Sequence, residues 1–296
     1  MKYRVTHTTE YRYEGGEVSS SYSVAHLVPR RLGHQACLSS DLAISPKPLD
    51  YRERFDFFDN RTSFFSIHEP HRSLRVTATS EIDVTAPGGQ LQLQESEAWD
   101  VFAARLRTDP DPEVVSARQF LLDSPLVSGS RDLLDYAEPS FAPGRPLVDA
   151  VVDLTSRIHR DFDYEPGSTK ITTGLHEVLE RRQGVCQDFA HLTIGCLRSV
   201  GLAARYVSGY LETLPPPGQP KLVGVDASHA WLSVFVPSTG WLDLDPTNDR
   251  VPNERYITTA WGRDYADVTP LKGVVFSSAK KQKLDVSVDV ARLDVV

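Results

Sequence analysis

The chain has 296 residues, which on a prior of about 150 residues per domain is enough for two domains of ordinary size. Its net charge is −8 and no basic run interrupts that acidic balance, so the composition argues against a nucleic-acid-binding surface. No apolar stretch approaches the roughly 18 residues that cross a membrane, and the N-terminal segment lacks the apolar core of a signal peptide.

Residues 1–85 predict a β-rich domain. The stretch from Leu74 to Thr79 alternates apolar and polar residues, which is the pattern of a strand with one buried face. Breakers such as Gly15-Gly16 and Pro46-Lys47-Pro48 divide this region at the short spacing typical of a β-sandwich. Its histidines lack the close spacing of metal ligands, so we expect them to be structural or solvated. Cys37 is expected to be a structural thiol.

Residues 86–145 have the character of a helical connector between two domains. Apolar residues from Trp99 to Leu106, and again from Val114 to Leu121, suggest short helices. The segment Asp109-Pro110-Asp111-Pro112 interrupts this pattern and can begin the second helix. We therefore expect short helices that join the β-rich domain to a second domain, residues 146–296, and that pack on both.

The second domain is organised around Cys186, which stands where an apolar helix begins. A buried stripe at three- and four-residue steps indicates this helix, and Gly201 ends it; the stripe comprises Phe189, Leu192, Cys196, Leu197 and Val200. In the first helical turn, unpaired N–H groups and the positive end of the helix dipole favour a thiolate. A cysteine is more often a small buried hydrophobe than a nucleophile, so position alone does not assign its role.

The number of cysteines and two other residues of this helix lead to further predictions. The cysteines are odd in number and widely spaced, which indicates reduced thiols and a cytoplasmic protein. Cys196 lies on the buried stripe and is expected to be inert. His191 should lie about 140° round the helix from Cys186, so we expect it to be structural.

Two predicted strands carry the partners that would activate such a thiol. His229 stands at the start of the strand from Ala227 to Val236, and both Asp243 and Asp245 lie on the strand after a short hairpin loop. If Val236 pairs near the start of that second strand, Asp245 falls nearer to His229 than Asp243 does, by roughly 7 Å along the strand. Cysteine, histidine and aspartate supply a nucleophile, a base and the group that orients the base.

These residues lie in segments that resemble the transglutaminase-like superfamily, in particular its bacterial branch, whose members are often described as cysteine proteases. The core segments are GVCQDFA (184–190), ARYVSGY (204–210), SHAW (228–231) and GWLDLDPTN (240–248). The segments HTTEYRY (7–13), LVPR (27–30) and DN (59–60) resemble the β-rich domain that precedes the core in that branch. The resemblance therefore covers nearly the whole chain.

The resemblance implies an α+β fold, with an N-terminal β-sandwich-like domain followed by a papain-like, transglutaminase-like core. In that core a helix carrying the cysteine packs on an antiparallel sheet. The resemblance makes Cys186 the nucleophile, His229 the base and Asp245 the third member of a triad. For the oxyanion, the backbone N–H of Cys186 is the first candidate donor and the Gln183 side chain a weaker second.

The reaction expected is acyl transfer at a peptide or protein amide through a thioester on Cys186. A peptidase or amidase, which we rank first, releases the thioester to water, whereas a transglutaminase-type transferase also needs a site for an amine. A catalytically silent binding module would not need an intact triad. A metal site of Cys186, His229 and an aspartate would lack the close ligand pair of zinc sites, so we expect neither metal nor cofactor.

Overall fold

A computed structural model describes residues 1–86, 96–213, 228–237 and 239–293. Its strands are β1 (Lys2–Glu14), β2 (Val18–Ala25), β3 (Gln35–Ser45), β4 (Asp50–Phe55), β5 (Arg61–Ile67), β6 (Ser73–Val84), β7 (Asp163–Tyr164), β8 (Gln183–Gly184), β9 (Ala204–Leu211), β10 (Ser228–Val236), β11 (Gly240–Leu244), β12 (Tyr256–Gly262), β13 (Leu271–Ser277) and β14 (Lys281–Arg292). Its helices are α1 (Trp99–Leu106), α2 (Pro112–Ala117), α3 (Arg131–Ala137), α4 (Leu147–Asp161), α5 (Leu175–Arg181), α6 (Cys186–Ser199) and α7 (Tyr265–Val268), with 3₁₀ turns at Arg118–Leu121 and Glu138–Ser140. None of the helices in these ranges is both long and apolar enough to cross a membrane.

Strands β1–β6 of the N-terminal region, together with β13 and β14, form two four-stranded antiparallel sheets, in the orders β14-β1-β6-β3 and β13-β2-β5-β4. The alternation predicted within residues 74–79 is present along β6, where every second residue is buried. Side chains from both sheets share one buried cluster, which includes Val76 from the first sheet and Val18 and Ile67 from the second. The two sheets are therefore the predicted β-sandwich-like domain.

The last two strands of the chain belong to this sandwich. β14 pairs with β1 from Glu14↔Lys281 to Tyr3↔Arg292, and β13 pairs with β2. The prediction that residues 146–296 form the second domain is therefore wrong at its C-terminal end, and the β-rich domain is larger than residues 1–85. Alternation along a strand predicts which face is buried, but it does not encode which distant strand completes the ladder.

The predicted connector helices are present and share one core with the second domain. Phe102 of α1, Val114 of α2 and Leu133 of α3 lie in the same buried cluster as the apolar faces of α4 and α6. From the sandwich domain, Phe58 packs against this cluster, with its ring centre 5.7 Å from that of Phe120. Residues 87–95, near the start of the predicted connector, lie outside the described residues.

The second domain is built on an antiparallel sheet in the order β11-β10-β9-β12, against which α6 packs. α6 begins at Cys186, and Gly201 just beyond its end has a φ of 86°, a left-handed conformation that glycine adopts without strain. A cysteine-bearing helix on an antiparallel sheet, beside a sandwich domain, confirms the predicted α+β class. The predicted strand from Ala227 is described from Ser228 onward, and Ala227 itself lies outside the described residues.

Candidate active site

Cys186 is the first residue of α6, and a buried carboxylate holds the chain at this point. The Asp188 side chain accepts hydrogen bonds from the Val185 backbone N–H (2.8 Å) and from the Thr169 hydroxyl (2.6 Å). At Gly184, an added Cβ would lie 2.8 Å from the Asp188 Cβ, so only glycine permits this close approach. The turn therefore presents the thiol at the positive end of the helix dipole, where a thiolate is favoured.

The three cysteines have different surroundings. Cys186 is half-buried, whereas Cys37 and Cys196 are buried. Burial raises the pKa of Cys37, and complete burial raises the pKa of Cys196 to about 12. Cys186 interacts with a histidine, since a hydrogen bond and the charge of Cys186 raise the pKa of His229.

His229 joins Cys186 to Asp245. Its Nε2 lies 2.7 Å from Asp245 Oδ2. Burial by itself lowers the pKa of His229, but the hydrogen bonds and charges of Asp245 and Cys186 outweigh burial and raise that pKa above its usual value. Asp245 and Cys186 therefore both stabilise the imidazolium form.

The hairpin register selects Asp245 over Asp243. Val236 pairs with Gly240 and Ser233 with Asp243, which is the predicted register. Asp243 accepts hydrogen bonds from Trp231 Nε1 (3.2 Å) and from the Ser233 hydroxyl, on the neighbouring strand. The prediction that Asp245 is the nearer partner of His229 is confirmed by this geometry.

Asp245 is fully buried and has further hydrogen-bond donors that sequence reasoning did not single out. Asn248 Nδ2 and the Tyr256 hydroxyl each donate to its Oδ2 over 2.7 Å, and the Thr247 N–H donates to its Oδ1 over 2.9 Å. Burial raises the pKa of Asp245, but His229, Asn248 and Tyr256 outweigh it and lower that pKa. Asn248 stands three residues after Asp245 in the sequence, whereas Tyr256 reaches it only through the folded sheet.

The predicted weaker oxyanion donor, Gln183, lies exposed on β8, where it pairs with Asp163 of β7. The next residue of β7, Tyr164, lies opposite Gly184, two residues before Cys186. Burial and then the charge of Cys186 raise the pKa of the Tyr164 hydroxyl. No sequence pattern indicated this short β7–β8 ladder.

His191 lies on the buried side of α6, away from the thiol. Its Nε2 accepts a hydrogen bond from the Tyr265 N–H over 3.1 Å, and its ring centre is 4.9 Å from that of Tyr206. Burial lowers the pKa of His191 to about 4, so the ring is neutral. In the described ranges, no cluster of three or more His, Cys, Asp and Glu side chains has the arrangement of a metal site.

Comparisons with known proteins cover both domains. Residues 3–83 match the bacterial transglutaminase-like N-terminal region, and residues 135–246 match the transglutaminase-like superfamily. An uncharacterized protein of Mycobacterium tuberculosis is 47% identical over 293 residues, which are 98% of this chain and 92% of that protein.

Two characterised or solved proteins are more distant. The protein-glutamine gamma-glutamyltransferase of Pseudomonas aeruginosa is 33% identical over 127 residues, which are 42% of this chain and 19% of that enzyme. A Cytophaga hutchinsonii protein, described as a "putative cysteine protease", has a crystal structure with a TM-score of 0.74 at 23% identity; the match covers 100% of this chain and 92% of that one. This likeness shows a shared fold.

Proposed function

The chain belongs to the transglutaminase-like superfamily, and from this premise we propose that it is a cysteine-dependent acyl-transfer enzyme, a peptidase or amidase. Its substrate is an amide bond of a peptide or protein. Cys186 is the nucleophile, His229 the base and Asp245 the group that orients the base.

One observation carries this proposal, the interaction of His229 with both Asp245 and Cys186. The imidazole lies 2.7 Å from the Asp245 carboxylate. A hydrogen bond and the charge of Cys186 also raise the pKa of His229. The carboxylate is fully buried and the imidazole nearly so, which strengthens their electrostatic interaction. A catalytically silent module would not require a buried carboxylate aimed at a histidine that contacts a half-buried thiol.

The proposed mechanism follows from these contacts. The Cys186 thiolate attacks the amide carbonyl, and the C–N bond breaks as His229 gives its proton to the departing amine. The resulting thioester is cleaved by a water molecule, from which His229 removes a proton. The Cys186 backbone N–H, at the start of α6, is our candidate donor to the oxyanion, and removal of one such donor typically costs about 10²–10³ in turnover. Gln183 stays a weaker candidate.

The alternative is amine transfer, in which a primary amine replaces water in the second step. The similarity to the Pseudomonas aeruginosa protein-glutamine gamma-glutamyltransferase favours this alternative, although it spans 42% of this chain. The two reactions share the thioester on Cys186 and differ only in what cleaves it. The same triad therefore serves both.

An activity profile tests the proposal. The purified protein is incubated with a mixture of peptides and glutamine-containing proteins, with and without an added primary amine, beside the Cys186→Ala variant. New peptide termini or deamidated glutamine in both samples support hydrolysis, whereas incorporation of the amine supports transfer. Product formed equally by Cys186→Ala would refute both.

A further inference from the structure

β12 is an edge strand of the sheet that contains His229. Side chains of the sandwich domain form hydrogen bonds with backbone groups on its unpaired edge. Gln35 of β3 accepts a hydrogen bond from the Thr258 N–H and donates one to the Thr258 carbonyl, each 2.8 Å. Asn60 accepts from the Trp261 N–H (2.9 Å) and donates to the Trp261 carbonyl (2.8 Å). The side-chain amides of Gln35 and Asn60 therefore make the hydrogen bonds that a neighbouring strand would make along this edge of β12.

These contacts are buried and specific. Gln35 is 2% exposed and Asn60 is 0% exposed, so a broken bond would leave a buried polar group unpaired. The two contacts flank the irregularity in β12 between Thr258 and Ala260. A shift of β12 by one residue would break both of them, and the sandwich domain thus fixes the register of this strand.

A third residue of the sandwich domain holds the two amides in place. The Arg30 carbonyl accepts from Gln35 Nε2 over 2.8 Å, and the Arg30 guanidinium donates to Asn60 Oδ1 over 2.5 Å. The same guanidinium lies 3.5 Å from the centre of the Trp261 ring, and the guanidinium of Arg205 lies 3.6 Å from it. The orientation of both amides is therefore set by packing as well as by hydrogen bonds.

The first residue of β12 connects this contact to the candidate triad. Tyr256 is two positions before Thr258, and its hydroxyl donates to Asp245 Oδ2, the same oxygen that His229 contacts. The Tyr256 ring packs edge-on against Trp231, with ring centres 5.4 Å apart, so the hydroxyl has little freedom. A continuous path runs from Gln35 through Thr258 and Tyr256 to Asp245.

We propose that Gln35 and Asn60 are positioning residues for the Asp245–His229 pair, so that the sandwich domain completes the active site. They act by holding β12, and through it the Tyr256 hydroxyl, against the Asp245 carboxylate. When this support is lost, the carboxylate rotates more freely and stabilises the imidazolium less. The inference rests on the proposed function, because it concerns the same triad.

The test measures the alkylation rate of Cys186 by iodoacetamide from pH 5 to 9, read by mass spectrometry, which needs no known substrate. The variants are Gln35→Met, Tyr256→Phe and the double variant. The control is Thr155→Val, which removes one buried hydrogen bond (2.8 Å) to the Val151 carbonyl inside α4. The charged neighbours of Tyr256, which are Asp245, Arg250 and Arg255, are unchanged in all four proteins.

We expect Gln35→Met and Tyr256→Phe each to slow alkylation at pH 7 by about 3- to 10-fold, because an imidazolium that Asp245 stabilises less returns its proton to the thiolate. The double variant should be no slower than Tyr256→Phe alone, because both changes act through one hydroxyl. Thr155→Val should keep the wild-type profile. Each protein's cooperative unfolding transition is recorded in parallel.

The possible failures are distinguishable. A wild-type Cys186 that reacts no faster than Cys37 would refute the proposed function itself. Suppose instead that Cys186 of the wild-type protein reacts fast. An unchanged alkylation profile in folded Gln35→Met, or additive losses in the double variant, would then overturn only the positioning role. If Gln35→Met does not fold, Gln35→Glu takes its place, because its carboxylate keeps the acceptor for the Thr258 N–H. If Gln35→Glu and Tyr256→Phe both show the wild-type pH profile of alkylation, the positioning role is likewise overturned.

Discussion

Asp245 Oδ2 lies 2.7 Å from His229 Nε2, although a second aspartate stands only two residues away on the same hairpin. The register of that hairpin directs Asp243 to Trp231 and Ser233 and leaves Asp245 for the imidazole. The two carboxylates therefore have different hydrogen-bond partners, and the hairpin register accounts for the difference. This difference is open to direct test.

Asp245→Ala should lower turnover by about 10²-fold or more, because His229 loses the group that orients it. Asp243→Ala should retain most activity and lose about 1–3 kcal/mol of unfolding free energy, since Trp231 and Ser233 would keep buried donors without an acceptor. Steady-state kinetics and denaturant unfolding of both variants measure these effects. Reversed effects would mean that Asp245 is structural and that Asp243 serves the triad.

Cys186 should be the only thiol that reacts rapidly with iodoacetamide at neutral pH. Burial shields Cys37 and Cys196 and raises the pKa of both, whereas Cys186 is only half-buried and lies at the N-terminus of α6. Peptide mapping after timed labelling measures the three rates. Equal rates at all three cysteines would remove the argument for an activated thiolate.

Cys186→Ala and His229→Ala should each abolish thioester formation and leave the fold intact. The two side chains act as one unit, so the double variant should lose little beyond either single variant. Acyl-enzyme yield and a thermal unfolding curve are recorded for all three proteins. Losses that multiply in the double variant would show two independent contributions.

Acid should destabilise the protein through His191, whose pKa burial lowers to about 4. The unfolded chain, with a histidine pKa of about 6.5, then binds more protons than the folded one between these values, so stability falls as pH falls through this window and the loss is complete below pH 4. At pH 5 the loss from His191 is about 2 kcal/mol relative to pH 7.

His191→Gln is the matched variant for this effect, because a glutamine oxygen can still accept from the Tyr265 N–H. Denaturant unfolding at pH 7 and pH 5 should show a smaller acid loss in His191→Gln than in the wild type, by about 2 kcal/mol. His7, whose pKa burial also lowers to about 4, retains its own contribution in both proteins. An unchanged pH dependence would mean that His191 is not buried in its neutral form.

Local patterns were sufficient to predict the elements that carry Cys186, His229 and Asp245. The apolar stripe after Cys186 fixed the start of α6, and the short loop before Gly240 fixed the register that brings Asp245 to His229. Tyr256 could not be found in this way, because its contact with Asp245 depends on how β12 pairs with β9 across a long sequence separation. The membership of β13 and β14 in the sandwich was missed for the same reason.

The contacts between the two domains could not be predicted from local sequence patterns. Gln35 and Asn60 bond to backbone groups about 200 residues later in the chain, and no periodicity links them to Thr258 or Trp261. The cytoplasmic setting, drawn from the cysteine content, stays a prediction. Expression of the native protein followed by fractionation of the cells tests it.

Detection of an acyl group on Cys186 tests most directly whether the protein forms a thioester at this residue. The protein is mixed with a panel of short peptide p-nitrophenyl esters, quenched in acid within seconds, and analysed by intact mass and peptide mapping. We expect one acyl adduct, located on Cys186, that water or an added amine removes and that is absent from His229→Ala. An adduct on Cys37 or Cys196 alone, no adduct with any ester, or the same yield in His229→Ala would contradict this expectation.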